Sequence, residues 1–214
     1  MVISIIAILV GLTLPSLAGA RESSRRLKCL TNLRGIGAGV QLYLNQSKDI
    51  FPRVRPLQGN KPGGGNDPGL LDVLTEFLDA PAPRTDGEGK FIVTDPYRCP
   101  SDLVSNDESA GFDPVWRTTG TSYEYLPGVF MIFAEFFGVD PMNTAFAVSR
   151  AYENGRAWPF LVDADDWHNL RNSDVKRNAL FFPDWRADWS FNPSSEELER
   201  FFSDVRRFGG LGGG

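Results

Sequence analysis

Residues 1–20 form an uninterrupted apolar run, and the first charged side chain is Arg21. Twenty helical residues at about 1.5 Å each span roughly 30 Å, the thickness of the hydrocarbon core of a bilayer. Three interpretations are open for this run. The first is a cleaved secretory signal, since Ala18-Gly19-Ala20 resembles a cleavage site. The second is a single-span anchor, and the third is the apolar half of a longer helix.

The residues after Ala20 favour the longer helix. Apolar side chains recur at helical steps and share one face, which consists of Leu27, Leu30, Leu33, Ile36, Val40, Tyr43 and Leu44. No turn cluster separates the two patterns, and a membrane helix tolerates Pro15. We therefore predict one helix as far as about Lys48, with a transmembrane half at residues 1–20 and an amphipathic half at residues 21–50.

Residues 51–208 predict a globular head of mixed α and β structure. A turn-rich linker covers 51–69, and apolar residues at helical steps predict a short helix over 70–78. Strands are predicted at 90–94, 157–162, 175–182 and 185–191, the last two joined at Pro183-Asp184. The apolar run 129–138 is too short to span a bilayer and is predicted to lie in the core.

The C-terminal pattern predicts a helix over 194–208. Ser194 and Glu197 have the spacing of a capping box, and one face of the helix is apolar, formed by Leu198, Phe201, Phe202 and Val205. Residues 209–214 are predicted to be a flexible Gly-rich tail. The predicted fold class is therefore α+β, with a long N-terminal helix packed on the antiparallel sheet of the head.

Composition and charge narrow the class of protein. A chain of 214 residues with 42% hydrophobic content has the size of one globular domain and needs no disulfide scaffold to fold. Residues 1–55 contain eight Lys/Arg and two acids, Glu22 and Asp49, and so carry a net charge of +6. The remaining residues carry a net charge of −11, which gives −5 for the whole chain. The overall acidity argues against nucleic acid as a partner. Two Cys and one His exclude a zinc cluster built from the Cys and His residues of this chain.

The first 45 residues resemble type IV pilin-like proteins, and most closely the bacterial groups related to the major pseudopilin of type II secretion. The matching residues occur in order: Pro15, Ala20-Arg21-Glu22, Arg25-Arg26, Cys29 and Asn32-Leu33-Arg34-Gly35-Ile36-Gly37. Weaker similarities lie in the head, at Cys99-Pro100-Ser101-Asp102, at 121–125, and at His168 followed by 178–184, where Trp185 replaces a glycine. The resemblance implies a strand at 121–125.

The resemblance implies a pilin-like fold and a subunit that assembles into a filament or pseudopilus. Proteins of this family carry a basic leader, a cleavage glycine and an early glutamate, so we expect the true start to lie upstream of Met1. The implied location is the bacterial inner membrane, with the head exported to the periplasm or cell surface. The implied partners are this chain itself, other pilin-like subunits, inner-membrane lipid, and secretion or pilus assembly machinery. The predicted assembly residues are Ile5, Ile6, Leu9, Leu12, Pro15 and Leu17.

Export of the head would permit a disulfide between Cys29 and Cys99, the only cysteines. On the chain-entropy account, closing a loop of this length stabilises by about 4 kcal/mol. The alternative is two unpaired buried thiols.

The acidic stretch Asp163, Asp165 and Asp166, together with Asp184, offers hard oxygen ligands for Ca²⁺. The resemblance adds weight, because major pseudopilins of type II secretion have a calcium-stabilised C-terminal loop. The spacing is not that of an EF-hand, and aspartates in loops commonly cap turns. Calcium is the only cofactor that the sequence suggests.

His168 is the sole imidazole and has acids nearby, but no nucleophile motif accompanies it, which favours a structural role. Five tryptophans could stack on sugar rings or fill the core: Trp116, Trp158, Trp167, Trp185 and Trp189. We expect a non-enzymatic structural subunit. The alternative function is a secreted or membrane-anchored carbohydrate-binding module that uses the Trp-rich C-terminal region, and an enzyme based on His168 is the third hypothesis.

Overall fold

The chain is an α+β protein with one long N-terminal helix and an antiparallel sheet. The computed structural model describes residues 2–56, 68–104, 113–168 and 177–210. Helix α1 runs without a break from Val2 to Gln46, which confirms the prediction of a single long helix. It ends where Lys48 and Asp49 adopt positive φ angles of 57° and 60°. A left-handed residue after the last turn is a common way to end a helix.

The second half of α1 is one wall of the core. Five of the seven side chains predicted to share a face are buried: Leu30, Leu33, Ile36, Val40 and Leu44. Tyr43 is half-buried, whereas Leu27 is 64% exposed, so its assignment to the buried face was wrong. Near that level Glu22, Cys29 and Asn32 are buried together with Leu30. The buried face of α1 therefore includes polar groups where the helix enters the head and is apolar beyond Asn32.

The first half of α1 is described through its backbone. In residues 2–18 only the side chains of Ile3 and Leu17 are described, and both are exposed. The side chains of the other predicted assembly residues lie outside the described part, namely Ile5, Ile6, Leu9, Leu12 and Pro15. Within the described residues, no helix combines the length and the apolar character needed to cross a bilayer.

The head contains a four-stranded antiparallel sheet in the order β3-β4-β5-β6. Its strands are β3 (Tyr123–Tyr125), β4 (Trp158–Asp163), β5 (Asn178–Phe182) and β6 (Ala187–Trp189). All four were predicted, with longer bounds at β3, β5 and β6. Helix α1 packs against β5 and β6. A separate pair, β1 (Arg84–Thr85) with β2 (Phe91–Ile92), replaces the single strand predicted at 90–94.

Short helices cover the rest of the core: α2 (Leu70–Leu74), α3 (Val115–Thr119), α4 (Leu126–Phe136), α5 (Thr144–Glu153) and α6 (Ser195–Phe208). The predicted capping box starts α6, since Glu197 N–H donates to Ser194 Oγ at 3.2 Å and Ser194 N–H donates to Glu197 Oε2 at 2.8 Å. The apolar run 129–138 lies mostly in α4. Only one side of α4 is buried, through Phe130, Met131 and Ala134, whereas Phe136 is 83% exposed.

The turn between β5 and β6 shows how Trp185 replaces the expected glycine. Its φ is 52°, the left-handed region that a glycine would adopt easily. The side chain offsets this strain by packing against Phe160 and Phe182. Its indole Nε1–H also donates to Gln41 Oε1 of α1 at 2.8 Å. The turn is thus fastened to the long helix.

The predicted linker and tail differ in part from expectation. Phe51 and Val54 are 1% and 5% exposed, so the segment after α1 begins inside the core. Residues 57–67 of the linker and residues 211–214 of the tail lie outside the described part. Gly209 is buried against Val139.

Candidate metal centre

Four side chains that are distant in sequence converge beneath α1. They are Cys29 of α1, Cys99 of the segment after β2, Asp163 at the end of β4, and His168 shortly beyond. Their ligand atoms all lie within 4.8 Å of one another, and all four residues are buried. This cluster, Cys29/Cys99/Asp163/His168, is the only group of metal-binding side chains of its kind among the described residues.

The fold brings each member to this point. Cys29 lies on the buried face of α1, one turn before Leu33, and is fully enclosed. Asp163 is paired with Tyr123 at the last rung between β3 and β4. The segment with Cys99 is tied to β3, because Cys99 N–H donates to Ser122 Oγ at 2.9 Å. The cluster thus forms where α1 crosses one end of the sheet.

Within the cluster the contacts form two pairs. Cys99 Sγ lies 3.1 Å from His168 Nε2. The Cys29 thiol donates to Asp163 Oδ1 at 3.3 Å. The pairs are linked by a separation of 3.7 Å between His168 Nε2 and Asp163 Oδ2. The Tyr123 hydroxyl lies 3.4 Å from Cys29 Sγ and closes one side.

A second layer of polar groups holds these side chains in place. Glu22 Oε1 lies 2.9 Å from His168 Nδ1 and accepts a hydrogen bond from Ser101 Oγ at 2.9 Å. Asp163 Oδ2 accepts from the backbone N–H of Asn178 at 2.7 Å and from its Nδ2 at 2.9 Å. The Nδ1 contact leaves Nε2 of His168 as the nitrogen that faces the cluster. Both the imidazole and the carboxylate are therefore oriented toward the sulfur atoms.

The cluster contains one charged pair, Cys99 and His168, which is buried in the core. Burial raises the pKa of the Cys99 thiol, but hydrogen bonds with Cys29 and His168 outweigh burial and lower it to about 5. Burial lowers the pKa of His168, but the contact with Cys99 and the charge of Asp163 raise it to about 9. These directions favour a Cys99 thiolate beside a protonated His168.

The other two members bind their protons more tightly than exposed groups do. Burial raises the pKa of Asp163 to about 7, and the charge of Cys99 adds to this effect. Burial, followed by the hydrogen bond with Cys99 and the charge of Asp163, raises the pKa of Cys29 far above its ordinary value. Cys29 therefore stays a thiol near neutral pH, whereas Asp163 titrates in that range.

A thiolate–imidazole pair is also found in enzymes that use a cysteine as nucleophile. Here the side chain of His168 is 0% exposed and Cys99 is 0% exposed, so no substrate atom can reach the sulfur without opening the head. The same groups are suited to two other tasks, namely joining the two sulfur atoms or holding a cation. In this structure both cysteines are free thiols, so the predicted disulfide is not formed, although the two residues do meet.

The four predicted calcium ligands do not converge. Asp163 belongs to the cluster, and Asp165 Oδ1 accepts a hydrogen bond from the backbone N–H of Asp166 in the loop beyond it. Asp184 lies past Phe182, which pairs with Trp158 at the opposite end of β4. The five steps from Trp158 to Asp163, at about 3.3 Å each, separate those ends by roughly 16 Å. Asp184 instead forms an ion pair with Arg186 at 3.1 Å.

The five tryptophans are also dispersed. Trp158 is buried in the core beside Phe201, and Trp116 donates its indole N–H to the Asp102 carbonyl at 3.2 Å. Trp167 and Trp185 are half-buried against the core. Trp189 lies beneath the guanidinium of Arg26, whose Cζ is 3.8 Å from the ring centre. They present no common plane of the kind that a sugar-stacking platform needs.

All four cluster residues are candidates in the sequence, but for three different roles. The exclusion of a zinc cluster counted Cys and His alone and was too narrow, because Asp163 supplies a fourth ligand atom. Glu22 and Asn178 lie within the matching motifs, but the resemblance gives neither a role. The sequence offers one signal for Glu22: it precedes Cys29 by seven residues, about two helical turns, and so lies on the same face of α1.

No protein-family model, no curated protein and no solved structure matches this chain. The resemblance of residues 1–45 to pilin-like proteins therefore stays a prediction.

Proposed function

We propose that this chain is a non-enzymatic, pilin-like structural subunit of a filament or of a short pseudopilus of the type II secretion kind. Residues 1–20 hold it in the bacterial inner membrane, and the head is exported to the periplasm or cell surface. Its partners are other copies of itself, related subunits, membrane lipid and the assembly machinery. One observation carries the proposal: α1 is a single helix of 45 residues whose second half is a wall of the head.

The division of α1 supports this role. From Glu22 onward one face of the helix is committed to the head, so that half cannot also serve as a contact surface on that side. The first half carries the uncharged apolar run, with Ile3 and Leu17 exposed. A protein that merely needed a folded head would gain nothing from extending such a surface beyond it.

The assembly mechanism follows from the two solvents that this surface can meet. In a bilayer, lipid tails cover the apolar side chains, and helix association gains little from the hydrophobic effect. Once the helix leaves the bilayer, the same side chains avoid water only by burial against neighbouring helices, at about 25 cal/mol per Å² of apolar area. Extraction of subunits therefore favours a bundle of α1 helices at the centre of a fibre, with the heads outside.

The test is a matched pair of substitutions at Leu9, expressed in bacteria with the natural upstream coding region. Leu9→Arg places a charge in the apolar half, at a cost of about 2.5–3.5 kcal/mol near the centre of a membrane helix. Leu9→Ile preserves the apolar surface. We expect Leu9→Ile to give the ladder of cross-linked multimers of the unchanged chain in the membrane fraction, and Leu9→Arg to abolish that ladder.

The stability of the head is measured alongside by thermal unfolding, and it should be equal in the two variants. Equal multimer ladders for Leu9→Arg and Leu9→Ile would contradict assembly through α1. Recovery of the mature chain as a soluble monomer beginning at Arg21 would contradict both anchoring and assembly.

A further inference from the structure

We infer that the cluster Cys29/Cys99/Asp163/His168 is the binding site of one structural Zn²⁺ ion, which fastens α1 to the sheet of the head. The ligand atoms would be the two sulfurs, Nε2 of His168 and one carboxylate oxygen of Asp163. Two thiolates, an imidazole and a carboxylate form a ligand set of the type that Zn²⁺ prefers.

The separations are close to those around a tetrahedral ion. With Zn–S bonds of about 2.3 Å and Zn–N and Zn–O bonds of about 2.0–2.1 Å, neighbouring ligand atoms lie roughly 3.3–3.8 Å apart. The separations between proposed ligand atoms are 3.1 Å for Cys99 Sγ to His168 Nε2 and 3.3 Å for Cys29 Sγ to Asp163 Oδ1. His168 Nε2 lies 3.7 Å from Oδ2, the other oxygen of the Asp163 carboxylate. Since every remaining pair lies within 4.8 Å, small side-chain movements complete the tetrahedron.

The groups behind the ligands have the arrangement found behind metal ligands. A zinc-bound histidine almost always donates its other N–H to an oxygen acceptor, commonly a carboxylate, which fixes its tautomer. Glu22 occupies that place, 2.9 Å from His168 Nδ1. Asn178 satisfies Oδ2 of Asp163 twice, which leaves Oδ1 available for the ion. Both ligands are therefore already aimed at a common point.

Charge gives an independent reason for a cation. Asp163 and the side chain of His168 are fully buried, Cys29 and Cys99 are fully buried, and Glu22 is nearly so. Several acids enclosed away from water are unfavourable unless they stay protonated or share a counter-ion. A divalent cation neutralises most of this charge at its source. On binding, Cys29 gives up its thiol proton, His168 its Nε2 proton and the protonated fraction of Asp163 its carboxyl proton to solvent buffer, and no electron is transferred.

A Cys29–Cys99 disulfide would compete for the same sulfur atoms. Each sulfur already has a partner other than the second sulfur, Asp163 for Cys29 and His168 for Cys99. Oxidation would leave an imidazole and a carboxyl enclosed without those partners. An ion satisfies all four side chains together, which is why we prefer it.

The experiment titrates Zn²⁺ into the full chain after purification in detergent, thiol reduction and removal of metal by a chelator. We expect one ion per chain by elemental analysis. Replacement of Zn²⁺ by Co²⁺ gives an optical readout on the unmodified protein, with the intense visible bands of a tetrahedral ion and a sulfur-to-cobalt charge-transfer band. Because this readout needs no substitution, a variant that fails to fold does not weaken the test.

The variants then locate the ion. Asp163→Asn and Cys99→Ser should lose stoichiometric binding. At an excess of Co²⁺ that forces binding, Cys99→Ser should show about half of the charge-transfer intensity per bound ion, because only one sulfur remains. Glu22→Gln should bind about 10–100-fold more weakly, since it keeps every ligand and weakens only the support of His168. Asp166→Asn, an acid of the same loop that lies outside the cluster, is the matched control and should bind like the unchanged chain.

Three results would overturn the inference. The first is a reduced, folded chain that takes up much less than one Zn²⁺ or shows only octahedral cobalt spectra. The second is equal affinity in Asp163→Asn, Asp166→Asn and the unchanged chain. The third is a Cys29–Cys99 disulfide in protein isolated directly from its native membrane, detected by mass analysis before and after reduction.

Discussion

Glu124 is an acidic residue in the middle of strand β3, where it is partly removed from solvent. It lies between the fully buried Tyr123 and Tyr125, is half-buried itself, and pairs with Val162 across β3 and β4. Burial raises its pKa above the ordinary value, and the charge of Arg177 opposes this only in part. The folded state therefore holds the proton of Glu124 more tightly than the unfolded chain does.

The pH dependence of stability follows with a definite sign. The contribution of Glu124 is fully present below the unfolded pKa, which is about 4.3, and is lost as pH rises through the raised folded value. We expect the free energy of unfolding of the wild-type chain to fall relative to Glu124→Gln as the pH rises from about 4 to 7. Urea unfolding of both proteins across this range measures the difference. A difference that stays constant with pH would contradict the prediction.

At the scale of the element, the glycines of α1 are explained by what approaches the helix. A Cβ at Gly39 would lie 2.5 Å from Leu78 Cδ2 and 3.3 Å from the backbone oxygen of Phe77. The segment after α2 therefore contacts the helix backbone directly. At Gly35 the nearest atom would be Pro96 Cβ at 3.8 Å, which is an ordinary contact. Close packing therefore requires the lack of a side chain at Gly39, but not at Gly35.

Alanine substitutions at the two positions should therefore have opposite effects on the free energy of unfolding. Gly39→Ala should lower the free energy of unfolding by about 1–3 kcal/mol, because Leu78 has to move. Gly35→Ala should raise it by about 0.5–1 kcal/mol through better helix propensity at an exposed position. Denaturant unfolding of the two variants provides the comparison. A shift of the same sign and size in both would mean that the close approach at Gly39 does not constrain the helix.

The elements that the sequence predicted are those with a strong local period. Helix α6 combines a capping box with an apolar face, and β4 and β5 are short apolar runs between turn residues. Helix α5 was missed because its buried face is largely small, with Ala147 and Ala151 beside Val148. Small side chains bury little area and contribute little to a hydrophobic pattern.

The candidate site was only partly predictable for a different reason. Cys29 and Cys99 were paired from the sequence, and Asp163 and His168 were singled out, yet for separate hypotheses. Their meeting depends on the pairing of β3 with β4 and on the docking of α1. The contacts within the cluster join residues 69 and 134 positions apart. No local pattern encodes such contacts. Residue types can be read from a sequence more readily than their convergence.

At the scale of the whole molecule, α1 belongs to the core of the head as much as the strands do. Leu33→Ala removes a fully buried side chain from this wall and should lower the free energy of unfolding by about 2–5 kcal/mol. Leu42→Ala, on the same helix but 52% exposed, should change it by less than about 1 kcal/mol. Thermal unfolding monitored by circular dichroism tests both. Equal effects would mean that the buried face of α1 contributes no more to the stability of the head than its exposed face does.

The position of the cluster along α1 has a mechanical consequence. The helix is about 68 Å long at 1.5 Å per residue and has no break between its apolar half and the head. Glu22 and Cys29 are among the first buried contacts that α1 makes as it enters the head. A pull along the helix from its apolar end therefore enters the head at these polar contacts, which share the load with the buried leucines further along.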